Sequence, residues 1–97
     1  MRIIALRTLR EFWQEHPDAE QQLRAWYARV SKQNWHSPAD VKLAYGNASF
    51  VGNDRVVFNI KGNSYRLVVM IRYSKEIVYI RFVGDHATYD AIDVEEI

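Results

Sequence analysis

Two periodicities divide the chain. Up to about Ala44 apolar residues recur at helical spacing, and from Arg55 onward they alternate with polar ones. Arg2 to Leu6 is short and rich in branched residues, which predicts an opening strand. Thr8 with Glu11 forms a capping-box pair ahead of Phe12 and Trp13, which predicts a first helix reaching His16, stopped by Pro17. Asp18 with Gln21 opens a second helix, whose apolar stripe is Leu23, Trp26, Tyr27 and Val30, with Glu20, Arg24 and Lys32 at polar positions. Ser37, Pro38 and Asp40 start a third, brief helix that ends at Ala44 before Gly46. Residues Asn47 to Asp54 read as a loop, with Phe50 and Val51 pinning it to the core.

The alternating half resolves into hairpins. Gly62-Asn63 suits a two-residue turn with Lys61 paired to Ser64, which sets Phe58 opposite Leu67 and Asn59 opposite Arg66. A second turn near Ser74 and Lys75 sets Val69 opposite Ile80 and Val68 opposite Arg81. Parity then assigns Phe58, Ile60, Leu67, Val69, Ile71, Val78, Ile80 and Phe82 to the core face. Asn59, Lys61, Arg66, Arg72, Tyr79 and Arg81 share the other face with Val57, Val68 and Met70. A slip of one residue would drive the Arg side chains into the core, so this register is strongly specified.

Ninety-seven residues, 48% of them hydrophobic, are enough for one domain over residues 1–97 and too few for two cores. No apolar run approaches membrane-helix length, and MRIIALR is too short and too soon charged for a signal peptide. The absence of cysteine excludes disulfides and thiolate metal sites and is compatible with a cytoplasmic location. The net charge of +1 conceals an arrangement: from Arg55 to Arg81 six cations stand against Glu76 alone, whereas no Lys or Arg follows Arg81. Asp85, Asp90, Asp93, Glu95 and Glu96 fill that last stretch.

Each cation alone is most simply a solvated residue on the wet face of a sheet. Lys61, Arg66 and Arg81, however, come from three successive strands with no carboxylate among them, and converging like charges favour a bound polyanion. His86 and Tyr89 follow the last strand at a spacing of three, on one side of a closing helix over Ala87 to Asp93. Taken singly, His86 reads as a capping or half-buried imidazole, and Tyr89 as a core aromatic. His16, His36 and His86 are scattered, no calcium loop, phosphate loop or nucleophile elbow occurs, and no metal or cofactor is expected. Cleavage of an RNA phosphodiester without metal needs help in deprotonating the 2′-hydroxyl, stabilisation of the phosphorane and assistance to the leaving 5′-oxygen. The Arg fork suits the second task and His the first or third. Lys61 suits the base role only where neighbouring cations lower its pKa.

The segments FNIKGN, YRLVV, VYIRFVG and HATYD, in that order, resemble the HigB family of toxins from bacterial toxin-antitoxin modules, within the RelE-like superfamily. The likeness is close over the C-terminal half and looser over the helical half. It implies an α+β RelE-like fold, a small antiparallel β-sheet packed against two N-terminal helices with a short C-terminal helix. It implies an mRNA endoribonuclease held inactive by a cognate HigA-like helix-turn-helix antitoxin, with the ribosome as a further partner. By the same resemblance Lys61, Arg66 and Arg81 hold the scissile phosphate, His86 is the acid-base residue, and Tyr89 orients substrate or shares the proton. Asn59 and Asn63 shape the adjoining RNA surface, which Arg72 and Tyr79 extend. Asp85 departs from the family pattern, which tends to place Thr before the His, and a carboxylate there is expected to act on His86 or on the substrate.

Two other functions remain open on sequence. A non-catalytic RNA- or ribosome-binding module would use the same basic face, although Tyr79 is its one clear aromatic. A structural partner-binding domain would use the N-terminal aromatics. The toxin itself is expected to be a monomer away from any membrane.

Overall fold

A computed structural model describes all 97 residues. Its helices form where one stripe is apolar. In α1 (Leu6–Glu15), Leu9 and Trp13 are buried while Arg7 and Glu11 pair on the wet side at 3.2 Å. The helix starts two residues ahead of Thr8, which lies inside the first turn, and the extended Ala5 precedes it without a side-chain cap. Pro17 opens a 3₁₀ turn (Pro17–Ala19) that leads directly into α2 (Glu20–Ser31), whose buried residues are Leu23, Trp26 and Val30. Helix α3 (Pro38–Ala44) begins where the Ser37-Pro38 signal places it.

One mixed sheet holds five strands in the order β1-β5-β4-β3-β2. The opening strand β1 (Arg2–Ile4) runs parallel to β5 (Ile77–Asp85) at one edge, and every other pairing is antiparallel. At the opposite edge β2 (Ser49–Val51) pairs with β3 (Arg55–Ile60), in the stretch read from sequence as loop. Phe50 does not pin that segment to the core, since it is 42% exposed at the sheet edge. Strand β4 (Tyr65–Arg72) is central and joins β5 through a 3₁₀ turn (Tyr73–Lys75) that Glu76 closes in the left-handed region.

The helices cover one face of this sheet. Leu67, Val69, Ile71, Val78 and Phe58 meet Leu9, Leu23, Val30 and the tryptophans there in one cluster of 18 buried residues. Its aromatic knot has Phe58 edge-on to Trp26 (5.5 Å) and Tyr45 (5.1 Å), each such pair adding about 0.5–1.5 kcal/mol beyond burial. The other face carries no helix except α4 (His86–Asp90) at one end, shorter than the helix to Asp93 expected from sequence.

The register departs from expectation at one place. Asn59 pairs with Arg66, Phe58 with Leu67 and Val69 with Ile80, as alternation predicts. Between Val68 and Val69, however, the β4–β5 ladder shifts, so that Val68 meets Phe82 rather than Arg81. Arg81 is the extra residue of a bulge. Beyond it the inward positions become Val83 and Asp85 in place of Phe82, and Phe82 is turned out to the face opposite the helices.

Candidate active site

The open face is organised around Arg66. Its guanidinium donates to Asn59 Oδ1, the residue directly across the ladder, at 2.5 Å and to Asn63 Oδ1 in the turn at 3.5 Å. The Tyr89 ring lies 5.7 Å from its central carbon, and Phe82 lies 6.4 Å beyond Tyr89. Arg66 forms no ion pair; its partners are amide oxygens and an aromatic face, which orient the fork without neutralising it. Phe82, assigned to the core from sequence, is the neighbour of Tyr89 because of the bulge. No sequence signal marks the shift: Val83 is as apolar as Phe82, so moving by one residue there costs no burial.

Arg81 stands apart from that group. Its guanidinium lies 5.4 Å from the Tyr79 ring and 4.0 Å from Met70 Sδ, and it too has no carboxylate partner. Arg72 is six residues along β4 from Arg66, about 20 Å at strand rise, and exposed at the far end of the sheet. Arg66, Arg81 and Arg72 are therefore a line of separate cations rather than one cluster, and Arg55, opposite Met70 on the same face, is engaged by the C-terminal segment.

Lys61 is not part of that line. The ladder closes at Ile60 and Tyr65, one pair earlier than predicted, and Lys61 enters the turn in the left-handed region (φ 53°) with Ser64 N–H donating to its carbonyl. Its backbone N–H donates to Gln22 Oε1 and its ammonium to Asp18 Oδ2 at 2.9 Å, so it is anchored to the helical layer. Tyr65 donates to the other oxygen of Asp18 at 2.7 Å. These two donors, Tyr65 first and Lys61 second, hold the Asp18 carboxyl below its ordinary range. The expected neighbours of Lys61 were cations, the condition for a lysine base; the observed one is a carboxylate.

At the end of β5, Asp85 is the N-cap of α4. Its carboxylate accepts from Thr88 N–H at 2.9 Å and from the Thr88 hydroxyl at 2.7 Å, and these bonds depress its pKa. That explains why a carboxylate is suited to the position before His86: it starts the helix. His86 and Tyr89 lie one turn apart on α4, both at the end of the sheet that carries Arg66. Tyr89 touches the guanidinium, while the exposed His86 ring makes no hydrogen bond within the protein and is free to meet a ligand.

The acidic C-terminal segment returns over the same face. Asn53 donates to the Glu95 carbonyl at 3.3 Å and Arg55 donates to the Ile97 backbone oxygen, whereas α4 begins beside Tyr65. Residues 91–97 thus link the two ends of β3. Between those ends Val57 (3% exposed) and Val68 (0%) are buried on the face away from the helices, outside the main core. Ile92, Val94 and Ile97 are half-buried and Asp93, Glu95 and Glu96 exposed, the pattern of a strap with its apolar side down. Nowhere do three His, Asp or Glu side chains converge as a metal ligand set.

The comparisons with known proteins agree with this architecture. Residues 19–92 match the family model of the HigB toxin, the RelE-like toxic component of a toxin-antitoxin system. The chain is 28% identical over 92 residues to the "mRNA interferase toxin HigB" of Escherichia coli K12, covering 93% of this chain and 88% of that one. The "mRNA interferase HigB" of Shigella flexneri matches to the same extent. With the matched region spanning α2, all of β2 to β5 and the Arg66–Tyr89 site, the chain belongs to the HigB toxin family of RelE-like toxic components.

Proposed function

We propose that this protein is an endoribonuclease that cleaves mRNA, in the cytoplasm and on the translating ribosome, and that a cognate HigA-like helix-turn-helix antitoxin neutralises it. The observation that carries the reading is Arg66: a cation with no carboxylate, aimed by Asn59 and Asn63 and backed by Tyr89, with the exposed His86 one helical turn from that Tyr. Arg66 holds the scissile phosphate and stabilises the charge that develops on the phosphorane, and Arg81 holds the strand further along. The 2′-oxygen bonds to phosphorus as its proton leaves, and the bond to the 5′-oxygen breaks as that oxygen gains a proton. The products are a 2′,3′-cyclic phosphate and a 5′-hydroxyl. His86 serves one of the two proton transfers, with Tyr89 orienting the substrate or sharing the proton. Lys61 enters this scheme as the residue that ties the turn to Asp18 and keeps Asn63 beside Arg66.

The test compares wild type, Arg66→Ala and His86→Ala for growth arrest on expression and for RNA cleavage with and without ribosomes and EDTA. Cyclic-phosphate ends in the presence of EDTA, lost in both variants, are expected. Protection of RNA without cuts would favour a non-catalytic RNA-binding module, and full toxicity of both variants would overturn the site.

A further inference from the structure

Beside Arg66, on the far side of Asn59, lies a cavity of about 450 Å³ between the segment after α3 and the Gly62-Asn63 turn. Tyr45, Asn47, Phe58, Asn59 and Asn63 line it, with Gly46 and Gly62 on its wall. Its size falls within the range of roughly 300–1,000 Å³ of small-ligand sites. No charged side chain faces it, so a phosphate has nothing to bind there. Three amides against aromatic carbon are instead the surface that reads the edge of a base.

Two of these amides have their roles divided. Asn59 and Asn63 each give Oδ1 to Arg66, which leaves their NH₂ groups with no partner in the protein and with the cavity beside them. The side chains that aim the phosphate-binding Arg are thus the ones that line the cavity, and the two subsites are one nucleotide apart or less. We infer that this cavity is a nucleobase subsite, and that its paired amide donors favour guanine over adenine at the nucleotide next to the bound phosphate. Guanine offers two adjacent acceptors, O6 and N7, to a pair of donors. Adenine offers N7 beside an amino group, so one donor would face another and lose its water without replacement. The inference rests on RNA being the substrate, but not on its being cut.

Gly46 provides a clean way to close the cavity. A Cβ added there meets no atom within 4 Å, and its backbone does not need the left-handed region, so Gly46→Leu adds bulk at the cavity wall with no clash at Cβ. The probes are short 2′-O-methyl RNAs, which lack the nucleophile, differing only in one base, with the side-chain amide signals of Asn47, Asn59 and Asn63 followed by NMR. Guanine-containing probes are expected to shift those signals and to bind about tenfold or more tightly than adenine ones. Gly46→Leu should abolish the shifts and the preference while Arg66 signals still respond to RNA. Equal response to all four bases, or a preference that survives Gly46→Leu, overturns the subsite. Because the probes cannot be cleaved, a base-selective response from a protein that never cuts RNA would leave the subsite standing and remove the endonuclease.

Discussion

The two faces of the sheet are made by alternate residues of the same strands, and they are built for different ends. On the helical face Leu67, Val69 and Ile71 are fully buried within the 18-residue core. On the other, Arg66, Met70 and Arg72 alternate with them, and the buried positions are Val57, Val68 and Gly84, on the face over which the C-terminal segment returns. Stability thus resides on one side and an unneutralised charge on the other, one residue apart. A sheet that is over-determined from behind can hold an Arg without a counter-ion in front.

Adjacent residues give the sharpest test of that division. Leu67→Ala should cost about 2–5 kcal/mol of the roughly 5–15 kcal/mol available to a domain, read as a lowered denaturant midpoint. Arg66→Ala should move the same midpoint by about 0.5 kcal/mol or less, while cleavage falls by about 10²–10³. An Arg66→Ala protein that melts as early as Leu67→Ala would break the comparison. His86→Ala should lower cleavage by about 10²–10⁴ with its melting curve unchanged, and Lys61→Ala should lower it less than Arg66→Ala does. Val68→Ala measures the strap: losing two methyl groups from beneath it should cost about 1–2 kcal/mol, less than Leu67→Ala although both side chains are fully buried.

The smallest effect lies at Asp85. Its carboxyl stands below the ordinary value of 3.8 because Thr88 hydrogen-bonds the charged form. A depressed folded-state value means that the stability it contributes is complete above about pH 4 and is lost as the pH falls through that value. Asp85→Asn should therefore be less stable than wild type at neutral pH, and the two urea midpoints should converge at the acid end. A gap that persists unchanged into acid would show that the cap is not acting through its charge.

Alternation and the Gly-Asn turn made the Asn59–Arg66 pair readable from the sequence, and with it the core face of β3 and β4. The bulge was not readable, because Phe82 and Val83 satisfy burial equally and only the packing of α4 distinguishes them. The Lys61–Asp18 pair spans 43 positions and carries no local signal at either end. The same holds for β2, which is defined by its partner rather than by its own three residues, and for the strap, whose first residues read as the end of a helix to Asp93. Asp18, Tyr65 and the cavity amide Asn47 were missed for that reason.

Gly84 faces Arg66 across the ladder, and a Cβ there would fall 2.5 Å from the tip of the Phe82 ring. Phe82 stands next to Tyr89, and Tyr89 next to the guanidinium, so one methyl group at position 84 displaces the whole column without deleting any of its members. For a toxin, whose production selects against the cell that makes it, Gly84→Ala is a way to attenuated material that still carries every functional group.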